Sequence, residues 1–290
     1  MKAEQSLKDS IFNTVVILIL LGLALVVVVP FLFTFFSSFA ASKELLLKGV
    51  VLWPKEWTLE AYHFLLDNDQ FTGAFKNAVI LTVIGTLINM TLSILMAYGL
   101  SQPGVRGRTA INFMVVFTML FHGGMIPTYL VVNKLGLINS YWSIWLVNAI
   151  APFNMIVMRS FFQTLPNEIK ESARIDGCGE FKILWRIIVP ISLPVIVTFT
   201  LFYTVANWNT YFQAILYLND SKAYPLQVFL RQVLIENTSE LGLVVTENGY
   251  GFTPAVRHAA ILLTAMPLIL VYPFMQKYFS KGMMMGSVKG

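Results

Sequence analysis

The chain has 290 residues, of which 57% are hydrophobic and only 12% charged, with a net charge of +5. A soluble domain carries about 25% charged residues, so half that fraction leaves too little polar surface to coat a globule in water. The single cysteine, Cys178, excludes an internal disulfide, the three histidines (His63, His122, His258) are scattered, and no basic cluster tracks a nucleic-acid backbone.

Charged side chains are costly in hydrocarbon, so long charge-free intervals mark spans. Six intervals are long enough to cross a bilayer, which needs roughly 17–25 helical residues. They are 10–42, 77–105, 109–133, 135–158, 187–219 and 258–276. Helices are expected within them at 12–39, 75–100, 109–131, 142–162, 191–216 and 258–278. The first follows Lys2 and Lys8 like a signal peptide, but its apolar run is too long for a signal core, and it is expected to remain as a true span. Gly123, Gly124 and Pro127 interrupt the third, whose outer end should be broken.

With the amino terminus inside, the cytoplasmic segments hold twelve basic and six acidic residues, and the outer segments eight and nine. The positive-inside rule therefore places both termini in the cytoplasm. The expected organisation is a tail at 1–11, a first span at 12–39 and an extracytoplasmic segment at 40–74. A core of five further spans at 75–280 then holds a cytoplasmic loop at 165–190, and a tail follows at 281–290. The outer segment 40–74 carries Trp53, Pro54 and Trp57 and a short helix expected near 58–67. A second outer segment, 217–257, is polar, and either lipid-interface packing or docking of an external protein accounts for it.

No Asp, Glu, Lys or Arg lies within the six intervals, so the buried charge of an ion-coupled transporter is missing. The polar groups there are neutral: Asn89, Ser93, Asn112, Asn148, Asn154, Asn207, Asn209 and Gln213, beside Tyr98, Trp208, Tyr211 and Phe212. They can line a path for a polyhydroxylated solute or serve as interhelical hydrogen bonds, and both readings stand. Gly-Lys occurs nowhere, so there is no phosphate-cradling P-loop. GxSxG and HExxH are also missing, which leaves no visible hydrolase nucleophile or metal site. Any active transport must draw its energy from a partner.

The loop between spans four and five reads as two amphipathic helices joined at a glycine turn. Pro166 suits a first helical turn, and Asn167 and Glu168 place acceptor and negative charge there. Residues 168–176 present Glu171, Arg174 and Asp176 to water, while small Ser172 and Ala173 permit a partner's approach. Gly177 and Gly179 allow the reversal. Phe181, Leu184, Trp185 and Ile188 fall on one helical face, and Pro190 marks the start of span five.

Glu171-Ser172-Ala173-x-x-Asp176-Gly177, then nine residues and Ile187-x-Val189-Pro190, resembles the EAA motif of ABC importer permeases. The departures are Ser172 at the second position of that motif and Val189 at its leucine. Arg159-Ser160-Phe161-Phe162, Trp208-Asn209 and the glycine-rich ending are also similar to the MalG-like subunits of carbohydrate importers, and the resemblance runs over nearly the whole chain. It implies an all-α type I ABC importer permease fold in a bacterial cell (inner) membrane, without enzymatic activity of its own. It implies partners too: a second homologous permease subunit, two ATP-binding cassette subunits that carry ATP and magnesium, an extracytoplasmic solute-binding protein, and membrane lipids. No cofactor is expected on this chain.

Carried over by position, Glu171, Ser172, Ala173, Asp176, Gly177 and Cys178 would meet the ATPase subunit, and Gly286, Ser287, Val288 and Lys289 would reach it from the tail. Trp208, Asn209, Tyr211 and Gln213 would line the translocation path, and segment 217–257 would meet the binding protein. The resemblance extends to importers of oligosaccharides, including uronic-acid types such as alginate or pectin fragments. An anionic cargo would meet Lys76, Lys222, Arg231 or Arg257 near the outer face. An ion-coupled secondary transporter and an ABC permease for a non-sugar solute are the alternatives.

Overall fold

The computed structural model describes residues 2–235 and 253–282, with side chains over 12–235 and 253–274. Among these residues the chain is helical, and an isolated bridge between Ala40 and Trp57 is its extended pairing. Two compact units partition it, residues 1–69 with 230–266 and residues 70–229 with 267–290.

In the first unit, α1 (Lys2–Ser38) contains a 27-residue apolar stretch, Phe12–Ser38, whose side chains are largely exposed. An apolar helix exposed all round satisfies its own backbone and leaves its surface to lipid. Its carboxy-terminal end is anchored: Ser38 Oγ pairs with Tyr62 OH at 2.7 Å, and Thr58 N donates to Phe39 O at 2.8 Å. Phe36, Trp53 and Trp57 pack their rings there, with centroids 5.2 Å (Phe36–Trp53) and 5.4 Å (Trp53–Trp57) apart. Two short helices belong to this region, α2 (Ser42–Lys48), which sequence reading missed, and α3 (Glu60–Leu66), close to the expected 58–67.

In the second unit α4 (Asp69–Ser101) is long and unbroken, covering the expected 75–100. α5 (Arg108–Leu120) and α6 (Met125–Lys134) divide the expected 109–131 at Phe121–Gly124, where Gly124 takes φ 88°. The break anticipated from Gly123, Gly124 and Pro127 is present.

Span four was expected as one helix over 142–162 and is instead two, α7 (Tyr141–Val147) and α8 (Pro152–Thr164), bent by 50°. Pro152 is the cause, since a proline disfavours helical backbone at the residue before it, and Ala151 is extended at φ −84°, ψ 114°.

The loop helix α9 (Asn167–Ile175) leads to α10 (Glu180–Ile191), which carries a π turn at Leu184–Ile188. The expected 191–216 is again divided, into α11 (Leu193–Trp208) and α12 (Phe212–Tyr217). α13 (Leu226–Ile235) and α14 (Pro254–Gly282) complete the described chain.

Among the described residues three helices are long and apolar enough to cross a membrane, and up to five spans result if each bent pair counts as one. The larger core cluster of the second unit draws on α4, α5, α8, α9, α10 and α11, including Ile94, Met158, Phe162, Ile183, Leu184, Ile188 and Phe199. A second cluster joins Leu81 to Ile144, Trp145, Ala214 and Tyr217.

Candidate functional site: the α9–α10 loop and the broken helices

α9 ends in a glycine-dependent cap. Gly177 N donates to Arg174 O at 3.0 Å and Cys178 N to Ala173 O at 2.9 Å, the paired bonds of a Schellman motif. The reversal needs φ 75° at Gly177, in the left-handed region where a side chain costs about 1–2 kcal/mol. Nothing lies within 4 Å of where a Cβ would stand, so the position is open to whatever approaches α9. At the other end Pro166 is the cap residue itself, one position before the first turn in which it was expected, and it offers no side-chain acceptor.

Of the six residues expected to meet a partner subunit, Glu171, Ser172, Asp176 and Gly177 are exposed. Ala173 is not: it is 5% exposed and belongs to the core, and Cys178 is half-buried against the same cluster. These two support α9 from beneath, because the i, i+3 spacing that aligns Ala173 with Lys170 points both inward. Sequence reading missed Ile175, which is 86% exposed at the tip of the helix, one turn beyond Glu171. An isoleucine between Arg174 and Asp176, at i+4 from a carboxylate, was the available signal.

The inward face holds a charge. Lys170 is 3% exposed, and its Nζ donates to Phe162 O at 3.4 Å, near the carboxy-terminal end of α8 where a helix favours cations. Burial pushes the Lys170 ammonium below its ordinary pKa, and nearby Arg174 adds to the effect. On the outward face Arg174 Nε contacts Glu180 Oε1 at 2.7 Å, and Tyr98 OH from α4 donates to Glu180 Oε2 at 2.6 Å. Those two hydrogen bonds hold the Glu180 carboxyl below the usual carboxylate range, the Arg174 bond most. Arg174 Nη2 also reaches Gln102 Oε1 at 3.5 Å. One carboxylate thus ties α9, α10 and the end of α4 together.

In α10 the expected face of Phe181, Leu184, Trp185 and Ile188 is split. Ile183, Leu184 and Ile188 are buried, whereas Phe181 is 71% and Trp185 44% exposed. The π turn is the reason: i→i+5 bonding widens the turn and brings Ile183 and Ile188, five apart, onto one side. α10 then meets α11 at 87°, about Ser192. Pro190 and Pro194 flank that joint, and each removes an amide from the hydrogen-bond ladder.

Within the spans, two of the expected path residues turn out differently. Trp208 is 4% exposed and packs edge-on against Phe75, with centroids 5.9 Å apart, so it is core rather than lining. Asn209, just past the end of α11, is exposed, donates to Val205 O at 2.9 Å and accepts from Gln227 Nε2 at 3.2 Å. Tyr211 and Gln213 are half-buried. The tail residues Gly286, Ser287, Val288 and Lys289 lie outside the described residues, as does 236–252 of the outer segment.

The neutral amides assemble around the break between α7 and α8. Asn89 Nδ2 donates to Asn148 O at 2.7 Å and Ala149 O at 3.0 Å, while Asn207 Nδ2 donates to Asn89 Oδ1 at 2.8 Å. Ala151 N donates to Tyr203 OH at 3.0 Å, which pairs with Ser93 Oγ at 2.7 Å. Backbone groups released by the break are thereby satisfied from α4 and α11, as irregular backbone at membrane depth requires. For Asn89, Ser93 and Asn207 the interhelical reading is the one the structure supports.

Residues 89–285 match the family model described as "Binding-protein-dependent transport system inner membrane component". The chain is 46% identical over 287 residues to the polygalacturonan/rhamnogalacturonan transport system permease protein YtcP of Bacillus subtilis (strain 168), covering 98% of this chain and all of that one. It is 43% identical to protein LplC of the same organism, covering 97% and 95% of the two chains. A chain of the crystal structure of a bacterial ABC transporter involved in import of the acidic polysaccharide alginate superposes with TM-score 0.86 at 32% identity, over 94% of this chain and 98% of that one. With its long apolar helices, its loop and these relatives, the chain is a multi-pass protein of the bacterial cell membrane and belongs to the family of binding-protein-dependent transport system inner membrane components.

Proposed function

We propose that the chain is one of two permease subunits of an ATP-driven importer for acidic oligosaccharides of the pectin or alginate type. The observation that carries this is its 46% identity, end to end, with a permease named for polygalacturonan and rhamnogalacturonan transport. The structural relative named for alginate import points to the same uronic-acid chemistry. Cationic groups are available for such a cargo. Asn77 Nδ2 donates to Lys222 O at 2.7 Å, which brings exposed Lys222 beside the first turns of α4, where Lys76 is also exposed.

In this reading six spans cross the membrane with both termini inside, the division at α5 and α6 counting as one broken span. The other chains of the importer are a second permease, two ATPase subunits that hold ATP and magnesium, and an external binding protein that docks on 217–257. Glu171, Ser172, Ile175, Asp176 and Gly177 form the surface offered to the ATPase, with Ala173 and Cys178 as its footing. The tail at 286–289 makes a second contact there, and Asn209, Tyr211 and Gln213 face the cargo.

Replacement of Gly177 tests the coupling surface. Because a Cβ meets only open space, Gly177→Ala carries the backbone cost alone, and Gly177→Asp adds bulk and charge toward the partner. In the reconstituted complex Gly177→Asp should abolish uptake and binding-protein-stimulated ATP hydrolysis, with Gly177→Ala keeping most of both. Normal uptake by Gly177→Asp sinks the coupling surface. Crosslinks from 217–235 that reach only other permease loops would remove the outer docking site.

A further inference from the structure

We infer that α10 lies along the cytoplasmic surface of the bilayer and binds anionic phospholipid headgroups through Lys182 and Arg186. The inference rests on the proposed crossing of the membrane by α11. Given that crossing, the 87° joint lays α10 in the bilayer plane.

The rotation of α10 about its own axis is set by burial of Ile183, Leu184 and Ile188. Two adjacent rows then face outward, each with i, i+4 spacing, Phe181 with Trp185 and Lys182 with Arg186. An aromatic row beside a cationic row is the pattern of a helix seated at the boundary between acyl chains and headgroups. The apolar strip continues through exposed Ile191 and Leu193 into the start of α11, as expected of a surface that passes from the interface into hydrocarbon.

Charge favours a lipid over a protein with mixed charge. Neither Lys182 nor Arg186 makes an ion pair among the described residues, and the one carboxylate on α10, Glu180, is held by Arg174 and Tyr98. Two cations therefore remain for phosphate groups, each strengthening binding to an anionic surface about fivefold. Such anchoring would hold one arm of the joint at Ser192 while α9 responds to its partner.

The test uses the whole importer in vesicles of phosphatidylcholine alone and of phosphatidylcholine mixed equally with phosphatidylglycerol. ATP-driven import by the unaltered complex checks the underlying permease reading. If import fails in both lipids, that reading falls and the inference with it. Where import proceeds, Trp185→Phe isolates the emission of Trp185. The inference expects that emission to be quenched by lipids brominated high on the acyl chain and shielded from aqueous acrylamide. It also expects import to be faster with phosphatidylglycerol than without it, a dependence that Lys182→Gln with Arg186→Gln removes. Quenching by acrylamide alone would place Trp185 in water, and shielding from both quenchers would place it against a protein subunit. Either result overturns the inference, as does lipid dependence that survives loss of both cations.

Discussion

The α9–α10 loop and the junction between α7 and α8 solve one problem in opposite ways. Both leave backbone groups without helical partners, at Gly177 in one and at Asn148–Ala151 in the other. The loop is closed by its own backbone, and its charges sit at the surface, where Arg174 and Glu180 are each about half exposed. The junction is closed by side chains from two other helices, all neutral and mostly buried. Where water can replace a lost bond, a latch is cheap to open. Where it cannot, every donor must stay matched, because the alternative is an orphaned polar group in an apolar medium. The contrast assigns movement to the loop and fixity to the junction.

Four substitutions would break or sharpen that contrast. The largest effect belongs to Asn89→Leu, which strips the donors from Asn148 O and Ala149 O and the acceptor from Asn207. Thermal unfolding in detergent should show a loss of about 3 kcal/mol, since unmatched buried groups cost about 1–3 kcal/mol each. An unchanged melting profile would mean that the break is held by packing alone.

Tyr203→Phe should cost about 1–2 kcal/mol in the same assay, because it leaves Ala151 N and Ser93 Oγ without their shared hydroxyl. Combining it with Asn89→Leu tells whether the two ends of the break act together, in which case the losses will not add.

Gly85→Ala is smaller. The new Cβ would stand 3.0 Å from the Asn207 amide, which must shift away from Asn89 at a cost of about 1 kcal/mol. In a background that already carries Asn207→Ala, the amide is gone and Gly85→Ala should lose most of its effect. Persistence of the full effect there would point to another contact.

Least costly to stability is Glu180→Gln, below about 1 kcal/mol, because its ion pair is exposed and screened. The sign with pH is defined. The Glu180 carboxyl is held below its ordinary value of 4.5, so its contribution is complete above that value and is lost as pH falls through the lower, folded one. Wild type and Glu180→Gln should therefore separate at neutral pH and converge in acid, as followed by unfolding at several pH values. A gap that stays constant with pH would show that the carboxylate's charge is not what matters.

Much of this was open to a reader of residues alone. α4 and α14 stood out because no Asp, Glu, Lys or Arg interrupts their stretches within 77–105 and 258–276, and Gly177 stood out because the reversal after Asp176 needs a residue without a Cβ. The break before Pro152 did not, since a charge-free interval runs through it and counting charge is blind to backbone direction. The face of α10 was misjudged because a period of 3.6 cannot anticipate a π turn. Ala173 looked available for the same reason that it is buried: a small side chain suits close packing, whether by a partner or by the chain's own Phe162 and Ile183. Trp208 and Asn209 are neighbours in sequence with opposite fates, and only the end of α11 between them separates core from surface.

The right angle at Ser192 has a mechanical meaning. Two collinear rods transmit a push, but two rods joined at a square corner form a crank, in which a roll of one arm about its own axis becomes a swing of the other. A rotation of α10 too small to disturb its packing would swing α11, and because Tyr203 and Asn207 bind α11 to the α7–α8 junction and to α4, those elements would be carried with it as one body.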